Sequence, residues 1–290
     1  RMNNNWQEYY KSRCVSFADV AKQVKSGDFI GIGLGIGACT PPMLEAILAR
    51  GEELKGVQIC DSVPVRPSKL YDVEFMSRLD GHVNYKPCFG MMVSRKINEA
   101  KLSDFLPLMS SDGGDKYAKL SDVFICMTTP PNSQGYVNLG LTNFYHMEAI
   151  RWGRKAGKLR LAVAEVNDQM PTIFGNNWIH VSEFDCFVEN SSKIPAPPRP
   201  TPGEVEQKVG EHVLELINDG DTIQMGIGGI PEAVVAGLDG KKDLGVLTEL
   251  FLIGLQNLVA KGIVTNERKP FHKGVTVATF CVGDQAMYDY

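Results

Sequence analysis

Glu249 is the only ionised side chain within Leu244-Gly245-Val246-Leu247-Thr248-Glu249-Leu250-Phe251-Leu252. A carboxylate in such an apolar run is partly stripped of water, which makes it a stronger nucleophile and costs stability unless it is paired. Pattern alone also fits a glutamate that faces solvent from an edge or turn, or one held in a structural ion pair, and these are the commoner roles. The stretch Gly226-Ile227-Gly228-Gly229-Ile230-Pro231 begins 23 residues earlier (249 − 226 = 23). A glycine-rich turn between a strand and a helix places backbone N–H groups at a helix N-terminus, where they hold anions or developing oxyanions. Such a turn also occurs with no ligand, because lone glycine patterns are common. A second turn, Gly33-Leu34-Gly35-Ile36-Gly37-Ala38, fits G-x-G-x-x-A after a strand, a weak dinucleotide signal. Asp61 comes somewhat late for the acidic residue that signal requires.

The elements that must position these residues occur twice. Gly27-Asp28 opens the apolar run Phe29-Ile30-Gly31-Ile32, and Gly220-Asp221 opens Thr222-Ile223-Gln224-Met225, an offset of 193 residues (220 − 27 = 193). Each copy reads as helix, Gly-Asp turn, short strand, glycine-rich turn, and a helix with proline in its first turn, where the missing N–H has no partner to lose. The preceding helices are expected over Ser16–Lys25, with Phe17, Val20, Ala21 and Val24 inward, and over Val205–Asn218, with Val209, Val213, Leu214 and Ile217 inward. Val57–Cys60, Val123–Met127 and Leu161–Val166 read as buried parallel strands, and Met147–Ala156 as a helix between the last two. The fold class is therefore α/β, with two tandem related domains and mainly parallel sheets. Five prolines between Pro195 and Pro202 mark a stiff linker. Domains are expected at residues 1–195 and 202–290.

Composition sets the frame. The chain has 290 residues, 43% hydrophobic and 22% charged, with net charge −4 and pI about 5.8. These values describe a folded protein and argue against nucleic-acid or anionic-membrane partners. No apolar run reaches a membrane span, the first eleven residues lack the apolar core of a signal peptide, and Arg1 before Met2 reads as an expression-tag remnant. The seven cysteines are scattered and odd in number, which suggests free thiols and a cytoplasmic location. The five histidines form no local metal motif and are expected to be structural. No metal site is expected.

Several motifs in order resemble those of the family I CoA-transferases, in the acetyl-CoA hydrolase/4-hydroxybutyrate and butyrate CoA-transferase branch. Residues 220–250 carry the G-x-G-G-I-P turn followed by D-L-G-x-x-T-E. The likeness continues through Gly262-Ile263-Val264-Thr265-Asn266 and Thr279-Phe280-Cys281-Val282-Gly283. Earlier come Pro130-Pro131-Asn132-Ser133-Gln134-Gly135-Tyr136, Ala164 to Pro171, Ile179-His180-Val181-Ser182 and Phe187-Val188-Glu189. The resemblance covers nearly the whole chain. It implies that Glu249 is the covalent nucleophile and that Gly226, Ile227, Gly228, Gly229 and Ile230 contact CoA. It implies ping-pong transfer of CoA between a short-chain acyl-CoA and a small carboxylic acid, with the CoA thioester as substrate and no tightly bound cofactor.

The chain departs from the branch at Leu247, where histidine is common, and at Leu252-Ile253-Gly254, where Ser-Asp-Gly is common. Val63 to Leu120 departs most and is the segment expected to line the acid pocket. Family chains usually run well past the position of Tyr290. The resemblance therefore implies that residues 202–290 are the start of a C-terminal domain. It also implies a homo-oligomer, or pairing with a chain that supplies the remaining part. Two other readings stay open: an acyl-CoA hydrolase on the same scaffold, and a non-catalytic CoA-binding module.

Overall fold

Short runs of apolar residues become parallel strands when both of their faces are covered, and the first half of the chain supplies such runs in series. The computed structural model describes residues 5–196 and 198–290, so Arg1, Met2 and the linker residue Pro197 lie outside the described residues. The strands of the first half are β1 (Phe29–Ile32), β2 (Val57–Cys60), β3 (Val83–Tyr85), β4 (Val123–Thr128), β5 (Tyr136–Asn138), β6 (Leu161–Val166), β7 (Trp178–His180) and β8 (Cys186–Glu189). Six of them form one parallel sheet in the order β3-β2-β1-β4-β6-β8. β4 and β6 are buried along their whole length. The order reverses between β1 and β4, as in doubly wound sheets, which place a crevice at the carboxyl ends of those two strands. β5 and β7 form a separate antiparallel ribbon that pairs Tyr136 with His180.

The second half contributes β9 (Thr222–Ile223), β10 (Gly245–Leu252) and β11 (Val277–Val282), parallel and in the order β11-β10-β9. Its helices are Glu204–Leu216, Gly229–Ala236 and Ile253–Ala260, with a short one at Gln285–Asp289. The chain separates into two compact units, Arg1–Pro195 and Ala196–Tyr290. Each has its own apolar core, one around Ile30, Ile59 and Ile125, the other around Val246, Leu255 and Leu238. Among the described residues no helix is long and apolar enough to cross a membrane.

The Gly-Asp turn of the sequence repeat is built alike in both copies. Gly27 and Gly220 take φ of 81° and 84°, a region that glycine enters without steric cost. Gly27 N–H donates to Lys55 O at 2.8 Å, and Gly220 N–H to Lys242 O at 2.9 Å. The carboxylate of Asp28 accepts from Lys25 N–H, and that of Asp221 from Asn218 N–H, both at 2.7 Å. The aspartate in each copy therefore ties the turn back to the end of the preceding helix.

One helix face differs from its expectation. Val209 is 38% exposed. Gly210 faces the core instead, and a Cβ there would stand 2.9 Å from the Ala233 side chain. Close approach of two helices selects the residue without a side chain over the valine beside it.

Candidate active site

β10 carries Glu249. Its burial alternates, with Val246, Thr248, Leu250 and Leu252 buried and Leu247 and Glu249 exposed. Glu249 thus lies on the open face of the strand. The expectation of a partly desolvated carboxylate is corrected: the apolar run is a half-exposed strand whose outward positions happen to include Leu247 and Phe251.

The register places Glu249 beside the glycine-rich turn. β9 and β10 pair Thr222 with Gly245 and Ile223 with Val246, a constant offset of 23 residues (245 − 222 = 23). Continued along both strands, that offset sets Met225 against Thr248 and Gly226 against Glu249. Thr248 Oγ1 accepts from Met225 N–H at 3.1 Å and lies 3.1 Å from both Met225 O and Leu250 O, so its one proton serves either carbonyl. On the other side β11 pairs Thr248 with Ala278 and Leu250 with Phe280, which sets Glu249 beside Thr279.

The turn itself is open. Gly228 has φ of 132°, reserved for glycine, and directly precedes the helix Gly229–Ala236. A Cβ on Gly229 would stand 2.8 Å from Glu206 Cγ. Gly226 has neither reason to be glycine, because a Cβ there would meet nothing within 4 Å. The described residues give the amides of Gly226, Ile227 and Gly228 no acceptor. Ile227 and Ile230 are exposed beside them. Behind the turn, Arg199 Nε donates to the buried Glu232 carboxylate at 2.5 Å, fixing the first turn of the helix.

β10 is held from the opposite direction by residues that composition did not single out. Lys269 is buried and donates to Val246 O at 3.0 Å and Val275 O at 2.8 Å. Asn266, at φ 61°, accepts from Val246 N–H at 2.9 Å and donates to Thr276 Oγ1 at 2.9 Å. Gly245 is required here, since a Cβ would stand 2.6 Å from Lys269 Cγ.

The equivalent turn in the first unit is closed. Gly33 N–H donates to Ile125 O at 2.9 Å, Leu34 N–H to His146 Nε2 at 2.7 Å, and Gly35 N–H to Ser62 O at 3.1 Å. A Cβ on Gly33 would stand 2.4 Å from Gly37 O. Burial pushes the His146 imidazole down to about 3, so the ring is neutral and Nε2 accepts. With the amides of Gly33, Leu34, Gly35, Gly37 and Ala38 spent inside the protein, this turn lacks the row of free N–H groups that a pyrophosphate needs, and the dinucleotide reading falls.

Other motif residues of the first unit are structural locks. Glu165 is buried and accepts from Thr40 N–H at 2.9 Å, Thr40 Oγ1 at 2.6 Å and Asn190 Nδ2 at 2.9 Å. It thereby holds Thr40, the residue that precedes the helix Pro41–Leu48. Asn132 Oδ1 accepts from Gln134 N–H and Tyr136 N–H and closes the turn before β5. Asp61, weighed in the sequence only as a late acidic partner for a dinucleotide, is a buried carboxylate just past β2. It accepts from Tyr71 at 2.5 Å and Tyr85 at 2.8 Å. Burial raises its carboxyl to about 6, against the lowering effect of the two hydroxyls. Among the described residues no three His, Cys, Asp or Glu side chains converge to hold a metal ion.

The chain has known relatives in sequence and in fold. Residues 1–197 match the model of the acetyl-CoA hydrolase/transferase N-terminal domain, and the chain belongs to that family. It is 29% identical over 288 residues to 4-hydroxybutyrate coenzyme A transferase of Clostridium kluyveri, covering 98% of this chain and 65% of the relative. It is 32% identical over 288 residues to succinyl-CoA:cyclohexane-1-carboxylate CoA transferase of Geobacter metallireducens, covering 99% and 63%. Among solved structures it matches 4-hydroxybutyrate CoA-transferase of Porphyromonas gingivalis with TM-score 0.76 and 29% identity, covering 98% of this chain and 66% of that one. RipA of Yersinia pestis matches with TM-score 0.87 and 25% identity, covering 98% and 67%. The chain thus spans 63–65% of the length of these two curated relatives.

Proposed function

We propose that Glu249 is the nucleophile of an acyl-CoA:carboxylate CoA-transferase, with a short-chain acyl-CoA and an acid of the 4-hydroxybutyrate, butyrate or acetate type as substrates. The observation that carries this reading is the β9–β10 register, which pairs Ile223 with Val246, is continued by Met225 N–H on Thr248 Oγ1, and runs on toward Gly226 and Glu249, at a turn whose amides have no acceptor among the described residues. The names of the relatives support the reaction class.

The Glu249 carboxylate attacks the acyl-CoA carbonyl, giving a mixed anhydride and the CoA thiolate. The thiolate then attacks the Glu249 carbonyl of that anhydride. The acid leaves as its carboxylate and a glutamyl-CoA thioester remains. A second carboxylate attacks this thioester and the steps reverse, regenerating Glu249. The amides of Gly226, Ile227 and Gly228 donate to the tetrahedral oxyanions, and Gly228 to Ile230 with the start of their helix favour negative charge there. Contacts to the CoA tail, remote from the reacting carbonyl, offset the weakness of a carboxylate nucleophile. CoA enters as substrate, with no tightly bound cofactor. A cytoplasmic location and a homo-oligomer, or pairing with a chain that completes the enzyme, belong to the same proposal.

The test is peptide mass spectrometry of the full-length enzyme after incubation with acyl-CoA, with and without borohydride. CoA on Glu249, or the reduced alcohol after borohydride, is the expected result. An unmodified Glu249 in a preparation shown to bind acyl-CoA overturns the proposal in favour of a binding module. CoA release that needs no acceptor acid assigns a hydrolase instead.

A further inference from the structure

Outside the Glu249 site, the first unit holds two thiols in contact. Cys60 ends β2 and Cys88 follows β3, and their sulfurs lie 3.2 Å apart. The backbones that carry them are fixed side by side, since Lys86 N–H donates to Ile59 O at 2.8 Å and Cys88 N–H to Asp61 O at 2.9 Å. The pair is asymmetric in access: Cys60 is fully buried, whereas Cys88 is 7% exposed and is followed by the exposed Phe89. It is asymmetric in electronics too. The hydrogen bond between the two sulfurs draws the Cys88 thiol below its ordinary value, while the same contact and burial push Cys60 up. The remaining cysteines are free thiols with no such sulfur contact among the described residues.

We propose that Cys60 and Cys88 form a redox-active pair that a peroxide-class oxidant converts to a disulfide. Cys88, as thiolate, attacks one peroxide oxygen. The O–O bond breaks, hydroxide leaves and takes a proton to become water, and Cys88 becomes a sulfenic acid. The Cys60 sulfur attacks the Cys88 sulfur, the S–O bond breaks, and a second water leaves with the Cys60 proton. Two thiols are oxidised by two electrons and one peroxide is reduced to two waters. Both sulfurs contact Tyr117 Oη, Cys60 at 3.4 Å and Cys88 at 3.8 Å, so closing them to a bond of about 2.0 Å removes the thiol protons from both contacts. Tyr117 stacks on Tyr145 at 4.1 Å, and Tyr145 Oη lies 3.0 Å from Ile32 O at the end of β1.

The experiment treats the folded full chain with hydrogen peroxide, alkylates remaining thiols under denaturing conditions, and maps the unreduced digest by mass spectrometry. The expected product is a linked pair of peptides containing Cys60 and Cys88, two hydrogens lighter than their sum and separated by dithiothreitol. In Cys60→Ala the sulfenic acid has no resolving partner, so Cys88 gains two or three oxygens. Peptides that stay unlinked while both thiols remain alkylatable overturn the proposal, as does sulfinic acid at Cys88 in the unmutated chain with Cys60 still free. Neither outcome depends on the role of Glu249.

Discussion

Gly33 and Gly226 occupy the same position in the two copies of the repeat, 193 residues apart (226 − 33 = 193), yet a methyl group would strike Gly37 O at 2.4 Å in the first and meet nothing within 4 Å in the second. Gly33→Ala forces a backbone shift and is expected to cost about 1–3 kcal/mol. Gly226→Ala is expected to change stability by less than about 0.5 kcal/mol and to weaken acyl-CoA binding, because the methyl intrudes where the ligand must approach. Denaturant titration and acyl-CoA binding measured on the same two variants check both halves. Equal stability losses would show that the second turn is as closed as the first.

Thr248 joins β10 to Met225 through one hydroxyl. Thr248→Val keeps the shape and leaves Met225 N–H without its acceptor, at an expected cost of about 1–3 kcal/mol. Thr248→Ser keeps the hydroxyl and should recover most of the loss. In the full-length enzyme the valine variant should lower kcat more than it raises KM, since it loosens the nucleophile's strand more than the CoA contacts. Parallel losses in Ser and Val variants would sink this account.

Lys269 is expected to matter for stability and not for chemistry. Lys269→Met leaves Val246 O and Val275 O unsatisfied, with an expected cost of about 1–3 kcal/mol. Gly245→Ala should be destabilising for a steric reason in the same place. Thermal melts of both variants test this. A melting point unchanged in Lys269→Met would mean that solvent reaches those carbonyls.

Two buried groups of the first unit respond to pH in opposite directions. His146 is held down from 6.5 to about 3, so below pH 6.5 the unfolded chain binds a proton that the folded one refuses, and stability falls as pH drops toward 3. Asp61 is raised from 3.8 to about 6, so the folded chain takes its proton first and gains relative stability as pH falls from 6 to 3.8. Over that shared window the two slopes offset each other. Asp61→Asn removes one of them, so its melting temperature should fall more steeply between pH 6 and pH 4 than that of the unmutated chain. Identical slopes would show that Asp61 titrates as an ordinary exposed carboxylate.

What the sequence made legible follows from local physics. The Gly-Asp turns, the buried strands and the helix-opening prolines are set by backbone conformation and by runs of like residues, and these survive in the structure. The side of β10 on which Glu249 stands was hidden because Leu247 and Phe251 face outward, so the two-residue alternation was masked by apolar residues on both faces. Lys269 gave no signal and Thr248 entered only as a letter of the D-L-G-x-x-T-E motif, since a threonine in a strand and a lysine in a loop are ordinary by type and acquire their roles only when a register or a chain reversal brings carbonyls to them. Asp61, Tyr71 and Tyr85 lie 10 and 24 residues apart, and their cluster depends on a sheet order that no local pattern encodes. The closed turn at Gly33 became readable only through His146, which lies 112 residues from the amide it receives.

The alternation along β10 has one more consequence. A slip of a single residue between β9 and β10 would turn Glu249 into the core of its unit and Thr248 outward. The misfolded chain would then carry an unpaired buried charge and lose the Met225 clasp together, a penalty of several kcal/mol. The residue offered here as the nucleophile thus also proofreads the fold: a chain that places it wrongly is driven back toward unfolding, and few molecules persist that are folded but miswired.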